Sequence, residues 1–196
     1  MAKKFNLFNT FGNYLQKTMR NILIIGAGRS ASSLIQYLLN KSEAENLHLT
    51  IGDLSLELAQ RKTNNHKNAT AIAFDIFDET QRNIEIRKAD IVISMLPAHM
   101  HIEVAKDCIR YKKHMVTASY VSDAMQALDA QAKENNLVFM NEIGLDPGID
   151  HMSAMKIIDE IRDQGGKVIL FESFCGGLVA PESDNNLWNY KFTWAP

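Results

Sequence analysis

Gly26, Gly28 and Ala31 stand at a G-x-G-x-x-A spacing in the run Gly26-Ala27-Gly28-Arg29-Ser30-Ala31. Glycines so spaced allow a tight turn and bring bare backbone up to a diphosphate, while the small third residue lets a helix pack closely on a strand. A helix opening after such a turn presents unpaired N–H groups and its positive dipole end to phosphate oxygens. Arg29 and Ser30 add side-chain donors. The spacing alone is a weak signal, but its setting supports it: an apolar run at 21–25 precedes the turn, and helical spacing follows it. Asp53, 25 residues beyond Gly28, closes the next apolar run. A carboxylate there accepts hydrogen bonds from the adenosine ribose and repels a 2′-phosphate, so it predicts NAD in preference to NADP. Asp53 or Ser55 equally suits the N-cap of a helix at 54–62.

Three more segments carry polar chemistry. Ser94-Met95-Leu96-Pro97 ends one apolar run and Thr117-Ala118-Ser119-Tyr120-Val121 ends another. Strand ends of this kind line the ligand crevice in open α/β sheets. Residues 141–151 hold Glu142, Asp146, Asp150 and His151 among two glycines and a proline, dense for a simple connector. Asp146 and His151 are the candidate acid–base residues. The bland reading is a junction in which Asp150 caps the next helix. His99 and His101, two apart without a completing Cys or carboxylate pattern, read as surface or helix-start histidines; no metal site is expected. Cys108 reads as core, and Cys175 sits beside Gly176-Gly177.

The elements that must position these groups alternate. Short apolar runs at 21–25, 48–51, 69–74, 90–95, 114–118 and 137–140 read as strands, separated by helical patterns at 32–40, 54–62, 78–88, 102–111 and 122–135. In the fourth helix Ile102, Ala105 and Ile109 are expected inward; in the fifth, Met125, Leu128 and Ala132. Such alternation predicts an α/β fold: a Rossmann-type, doubly wound parallel sheet with right-handed crossovers over residues 19–143. From 144 the texture changes. A helix at 151–164 with Met152, Met155, Ile158 and Ile161 inward, a strand at 167–173, and the aromatics Trp188, Tyr190, Phe192 and Trp194 read as the start of a second, α+β substrate and dimerisation domain, cut off at Pro196.

Bulk properties set the bounds. The 196 residues are 46% hydrophobic, enough for a large core. Lys plus Arg number 21 against 23 acids, a net charge of −2, so nothing draws the chain to nucleic acid or an anionic membrane. No apolar run is long enough to cross a bilayer. Two cysteines make no disulfide framework, and a reducing cytoplasm is the expected location. Residues 1–18 carry only lysines as charged side chains and lack a secretion signal's apolar core, so they read as an extension outside the fold.

The run 116–122 (VTASYVS), the block MNEIGLDPGIDH at 140–151, Cys175-Gly176-Gly177-Leu178 with Ala180-Pro181-Glu182, and Tyr190-Lys191-Phe192 with Trp194 resemble saccharopine dehydrogenases. The resemblance covers residues 21–196 in order. It implies an oxidoreductase of lysine metabolism that uses NAD or NADP to oxidise the secondary amine of saccharopine, or to reduce the matching imine. It also implies a small amino-acid substrate and a homodimer at full length. By matching position it implies Arg29, Ser30 and Ala31 at the diphosphate, Asp75 and Ile76 on the adenine-side strand, and Leu96 at the fourth strand's end. Thr117 and Ala118 fall on the nicotinamide side, Ala118, Ser119 and Tyr120 on the substrate side, and Gly144, Leu145 and Asp146 at the junction against the cofactor. The resemblance is to the branch that joins glutamate to aminoadipate semialdehyde, usually with NADP; Ala98 stands where that branch usually has an aromatic, and Asp53-Leu54 stand where basic or uncharged residues are usual. Relatives are longer, so the chain reads as a fragment. The alternatives are a dehydrogenase of another amino-acid imine, of carboxynorspermidine type, and a non-catalytic NAD(P)-binding module.

Overall fold

The computed structural model describes residues 19–176 and 179–191. The expected extension at 1–18, and Gly177, Leu178, Phe192 and Trp194, lie outside the described residues. Contacts divide the chain into two units, Met1–Gly148 and Ile149–Pro196.

In the first unit, β1 (Arg20–Ile25), β2 (Leu47–Asp53), β3 (Ala69–Ala73), β4 (Ile91–Ser94), β5 (His114–Thr117) and β6 (Phe139–Met140) form one sheet in the order β3-β2-β1-β4-β5-β6. Every pairing is parallel. The crossovers are α1 (Ser32–Glu45), α2 (Leu56–Thr63), α3 (Glu79–Lys88), α4 (His101–Tyr111) and the pair α5 (Asp123–Gln126) and α6 (Asp129–Glu134).

Strand alternation explains the two cores. Ile22 and Ile24 of β1 point to one face, joining Ala31, Ile35 and Ala59 from α1, α2 and the turn before α1. Leu23 and Ile25 point to the other, joining Ile86, Val104 and Cys108 from α3 and α4. A strand buried on both faces must be apolar throughout, which is why residues 22–25 carry no polar side chain. Local caps set the helix starts: Ser55 accepts from the Leu58 N–H, Asp78 from Gln81 and Ser122 from Met125.

Four expectations need correction. The helix expected over 122–135 is two helices, because the Leu128 N–H bonds three residues back, to Met125, and so interrupts the four-residue ladder. The buried face of α4 is His101, Val104, Ala105 and Cys108, leaving Ile102 and Ile109 half-buried. In the second unit, α7 (Ile149–Asp163) exposes Met152, Met155 and Ile161 and leaves Ile158 half-buried, since no described element of that unit covers them. Residues 167–173 form no strand; among the described residues no neighbour supplies the ladder that an extended segment requires.

Candidate functional site: a dinucleotide crevice at the strand ends

The sheet order reverses between β1 and β4, and the glycine turn lies there, at the carboxyl end of β1. In open α/β sheets that switch point is the ligand crevice. Gly26 has φ +105°, and a Cβ added to it would lie 2.8 Å from the Met95 carbonyl oxygen. The turn therefore passes against the end of β4 with no room for a side chain. Gly28 is different. Its backbone is ordinary, φ −62° and ψ −176°, and a Cβ added there meets nothing within 4 Å. The protein's own packing therefore does not require glycine at 28, and the space beside its backbone is open. Ala31 is fully buried beneath the first turn. Arg29 and Ser30 are exposed at its lip.

Asp53 braces this turn. Its Oδ2 accepts the Ala27 N–H at 2.7 Å, and its Oδ1 accepts the Ser55 N–H at 2.9 Å. The cap of α2 is thus Ser55, leaving Asp53 to tie the end of β2 to the glycine turn. Beside it lies a largely apolar cavity of about 220 Å³ lined by Gly26, Asp53, Leu54, Phe74, Ile76, Phe77, Leu96 and Met100, among others. Gly26, Asp53, Ile76 and Leu96 are brought together here, and the flat, apolar walls suit a purine base. Asp75 lies beyond the end of β3, exposed, with its carboxylate on the Phe77 N–H rather than in the cavity. Phe74 and Phe77 join the site without a motif to mark them; the alternation of buried Phe74 and Ile76 just after β3 is the available signal.

At the end of β5, Ala118 packs under Gly144: a Cβ built on Gly144 would lie 3.0 Å from that of Ala118. Residues 144–148 close on themselves, with the Gly144 N–H on the Pro147 carbonyl, and bring Gly144 to the strand end. Leu145 and Asp146 are exposed. Tyr120 is 70% exposed, and Ser119 is half-buried beside it. The Thr117 side chain is buried, with its hydroxyl 3.2 Å from His101 Nε2. His151 belongs to the second unit, on α7, with its Nδ1 2.8 Å from Asp150 Oδ1. Among the described residues no cluster of His, Cys, Asp and Glu could hold a metal ion, and no helix is long and apolar enough to cross a membrane.

His101 departs most from expectation. It does start a helix, but only 3% of it is exposed. Its Nδ1 lies 2.8 Å from Ser94 Oγ; its Nε2 lies 2.7 Å from Ser119 Oγ and 3.2 Å from Thr117 Oγ1. Burial first, and the charge of His99 second, hold its pKa below the ordinary 6.5. The groups facing it from β4, β5 and the following loop are hydroxyls, which supply no compensating charge. Between the folded value and 6.5 the unfolded chain holds a proton that the native chain lacks. This part of the stability is therefore complete above 6.5 and declines as the pH falls through it. His101→Gln is expected to flatten the acid side of a stability-against-pH curve measured by urea unfolding; an unchanged slope would show that the imidazole does not govern it.

A parallel sheet of this order with a glycine turn at its switch point defines a nucleotide-binding domain of the doubly wound class. The family model described as saccharopine dehydrogenase NADP binding domain matches residues 22–140, and that of the saccharopine dehydrogenase C-terminal domain matches residues 144–196. The chain belongs to the saccharopine dehydrogenase family. It is 42% identical over 176 residues to saccharopine dehydrogenase (NADP+, L-glutamate-forming) of Pyricularia oryzae, covering 90% of this chain and 38% of that protein. It is 37% identical to alpha-aminoadipic semialdehyde synthase of Arabidopsis thaliana, covering 89% and 18%. The solved apo saccharopine dehydrogenase (L-Glu forming) of Saccharomyces cerevisiae superposes with a TM-score of 0.72 at 38% identity, covering 89% of this chain and 38% of that one. The chain thus spans well under half the length of these relatives. The NADP in the family model and in the fungal relative's name runs against the NAD preference expected from Asp53, whose carboxylate is already engaged by two backbone N–H groups.

Proposed function

We propose that residues 19–143 are the NADP-binding domain of a saccharopine dehydrogenase and that residues from 144 begin its substrate domain. The observation that carries this reading is the open space at Gly28, facing the N-terminal turn before α1, in a chain that belongs to this family. The diphosphate lies against Gly28, Arg29 and Ser30, with Ala31 beneath; the adenine enters the cavity walled by Ile76, Leu96 and Phe77. Gly144, Leu145 and Asp146 close the nicotinamide end with Thr117 and Ala118. The Ala118–Ser119–Tyr120 backbone and the Tyr120 side chain face the amino-acid substrate, and Asp146 is the nearer candidate for its proton chemistry. The chemistry the cofactor supplies is acceptance of hydride from the carbon bearing the secondary amine; water then splits the imine to an amino acid and an aldehyde.

The test uses the full-length gene product. Gly28→Ala is expected to leave the melting temperature unchanged, weaken NADPH binding about a hundredfold or more, and abolish saccharopine-dependent NADP reduction read at the nicotinamide absorbance. Unchanged NADPH affinity would overturn the site. Intact binding without turnover of saccharopine would assign the crevice to a different amine or to a non-catalytic role.

Cofactor choice has its own test. The task of Asp53 is to brace the turn, so Asp53→Ala is expected to cost about 1–2 kcal/mol of stability, as loss of a charged acceptor for two backbone N–H groups does. It should weaken NADP and NAD alike. Selective loss of NAD binding, measured by titration calorimetry, would instead restore the ribose role.

A further inference from the structure

We infer that His101 is a positioning residue for the substrate side of the crevice: its buried imidazole ties the ends of β4 and β5 together and fixes Ser119, and through it the segment carrying Tyr120. This rests on the proposed reading that the Ala118–Tyr120 segment faces the substrate. The geometry is a closed set of bonds. Ser94 ends β4, Thr117 ends β5, and both hydroxyls reach one ring of α4. Nε2 also reaches Ser119 Oγ, at 2.7 Å. The Ser119 N–H in turn donates to Thr117 Oγ1 at 3.3 Å, so the residue is gripped by side chain and backbone at once.

A neutral imidazole has one donor and one acceptor nitrogen, and a hydroxyl serves as either, so both tautomers satisfy the cluster without a charge. The neighbouring segment is held from the other side. The Glu142 N–H donates to the Ser119 carbonyl at 3.0 Å, and Glu142 Oε1 accepts the Val121 N–H at 3.1 Å. Ser119 and Val121 are thereby pinned on both flanks of Tyr120, which projects into solvent. A loop whose only task was to connect β5 to α5 would need no buried histidine beneath it. Catalytic and binding groups, by contrast, act best when a supporting shell locks their positions.

The two ring nitrogens separate the links. His101→Gln carries an amide to the Nε2 end and keeps the reach to Ser119; His101→Asn keeps the reach to Ser94 and loses Ser119. In the full-length enzyme, His101→Asn is expected to raise the KM for saccharopine about tenfold with the NADPH Kd unchanged, and His101→Gln to restore most of it. Equal effects of the two substitutions, or a parallel loss of NADPH affinity, would show a merely structural role and overturn the proposal. A second readout needs no substrate. Amide hydrogen exchange at Ser119 to Val121 should accelerate in His101→Asn and stay slow in His101→Gln. If saccharopine is not turned over by the wild type, the functional reading fails while this exchange pattern still decides the role of His101: no difference between the variants would reject it.

Discussion

Asp107→Ala is expected to lower the unfolding free energy by about 3–5 kcal/mol, the usual cost of stripping one partner from a buried ion pair. Asp107 Oδ2 meets Arg82 Nε at 2.5 Å, and the two side chains are only 7% and 8% exposed. Arg82 also donates to the Ile76 carbonyl at 2.6 Å, so the pair holds the loop that supplies Ile76 to the apolar cavity beside the glycine turn. Without Asp107 the guanidinium stays buried with its charge uncompensated. Arg110, at 4.0 Å and largely exposed, adds little to the pair. The loss is large against a domain stability of about 5–15 kcal/mol. Replacing both partners by apolar residues, Arg82→Met with Asp107→Leu, should recover most of it, because the cost lies in the orphaned charge rather than in a missing attraction. Urea unfolding of both variants with a common m-value checks this; a single-variant loss below about 1 kcal/mol would show that the pair does not hold the loop.

Gly26→Ala should damage fold and binding together, unlike Gly28→Ala. At φ +105° an alanine is strained by about 1–3 kcal/mol, and its methyl would collide with the Met95 backbone, which β4 holds in place. The same residue donates its N–H to the Gly52 carbonyl at 2.7 Å, so relief of the collision pulls on β2 as well. A drop in melting temperature and loss of NADPH binding are both expected. A Gly26→Ala protein with native stability and native affinity would show that the turn tolerates a different path. The pair of variants separates two reasons for glycine: at 26 the protein's own backbone excludes a side chain, whereas at 28 the protein leaves open space and the proposed diphosphate would be what excludes one.

Much of this was legible in the residues. The order of strands and helices, the glycine turn and a cap at Asp53 or Ser55 for the second helix are local properties. Apolar runs, helical spacing and side chains that bond an N–H three residues on act within one or two turns of chain. The block at 140–151 marked the family because its run of residues is long and unusual. Other features were not legible, because they depend on residues far apart in sequence. His101 looked like a helix-start histidine until β4 and β5 placed Ser94 and Thr117 around it. Asp53 read as a ribose ligand, but its nearest donor is Ala27 across the sheet. Arg82 and Asp107, 25 residues apart on two helices, carry no local signal of their pairing. The sequence by itself determined a doubly wound dinucleotide fold and its family. Tertiary packing alone decided which polar side chains brace the crevice and which are left to face a ligand, since burial and hydrogen-bond partners are set by neighbours that only folding brings together.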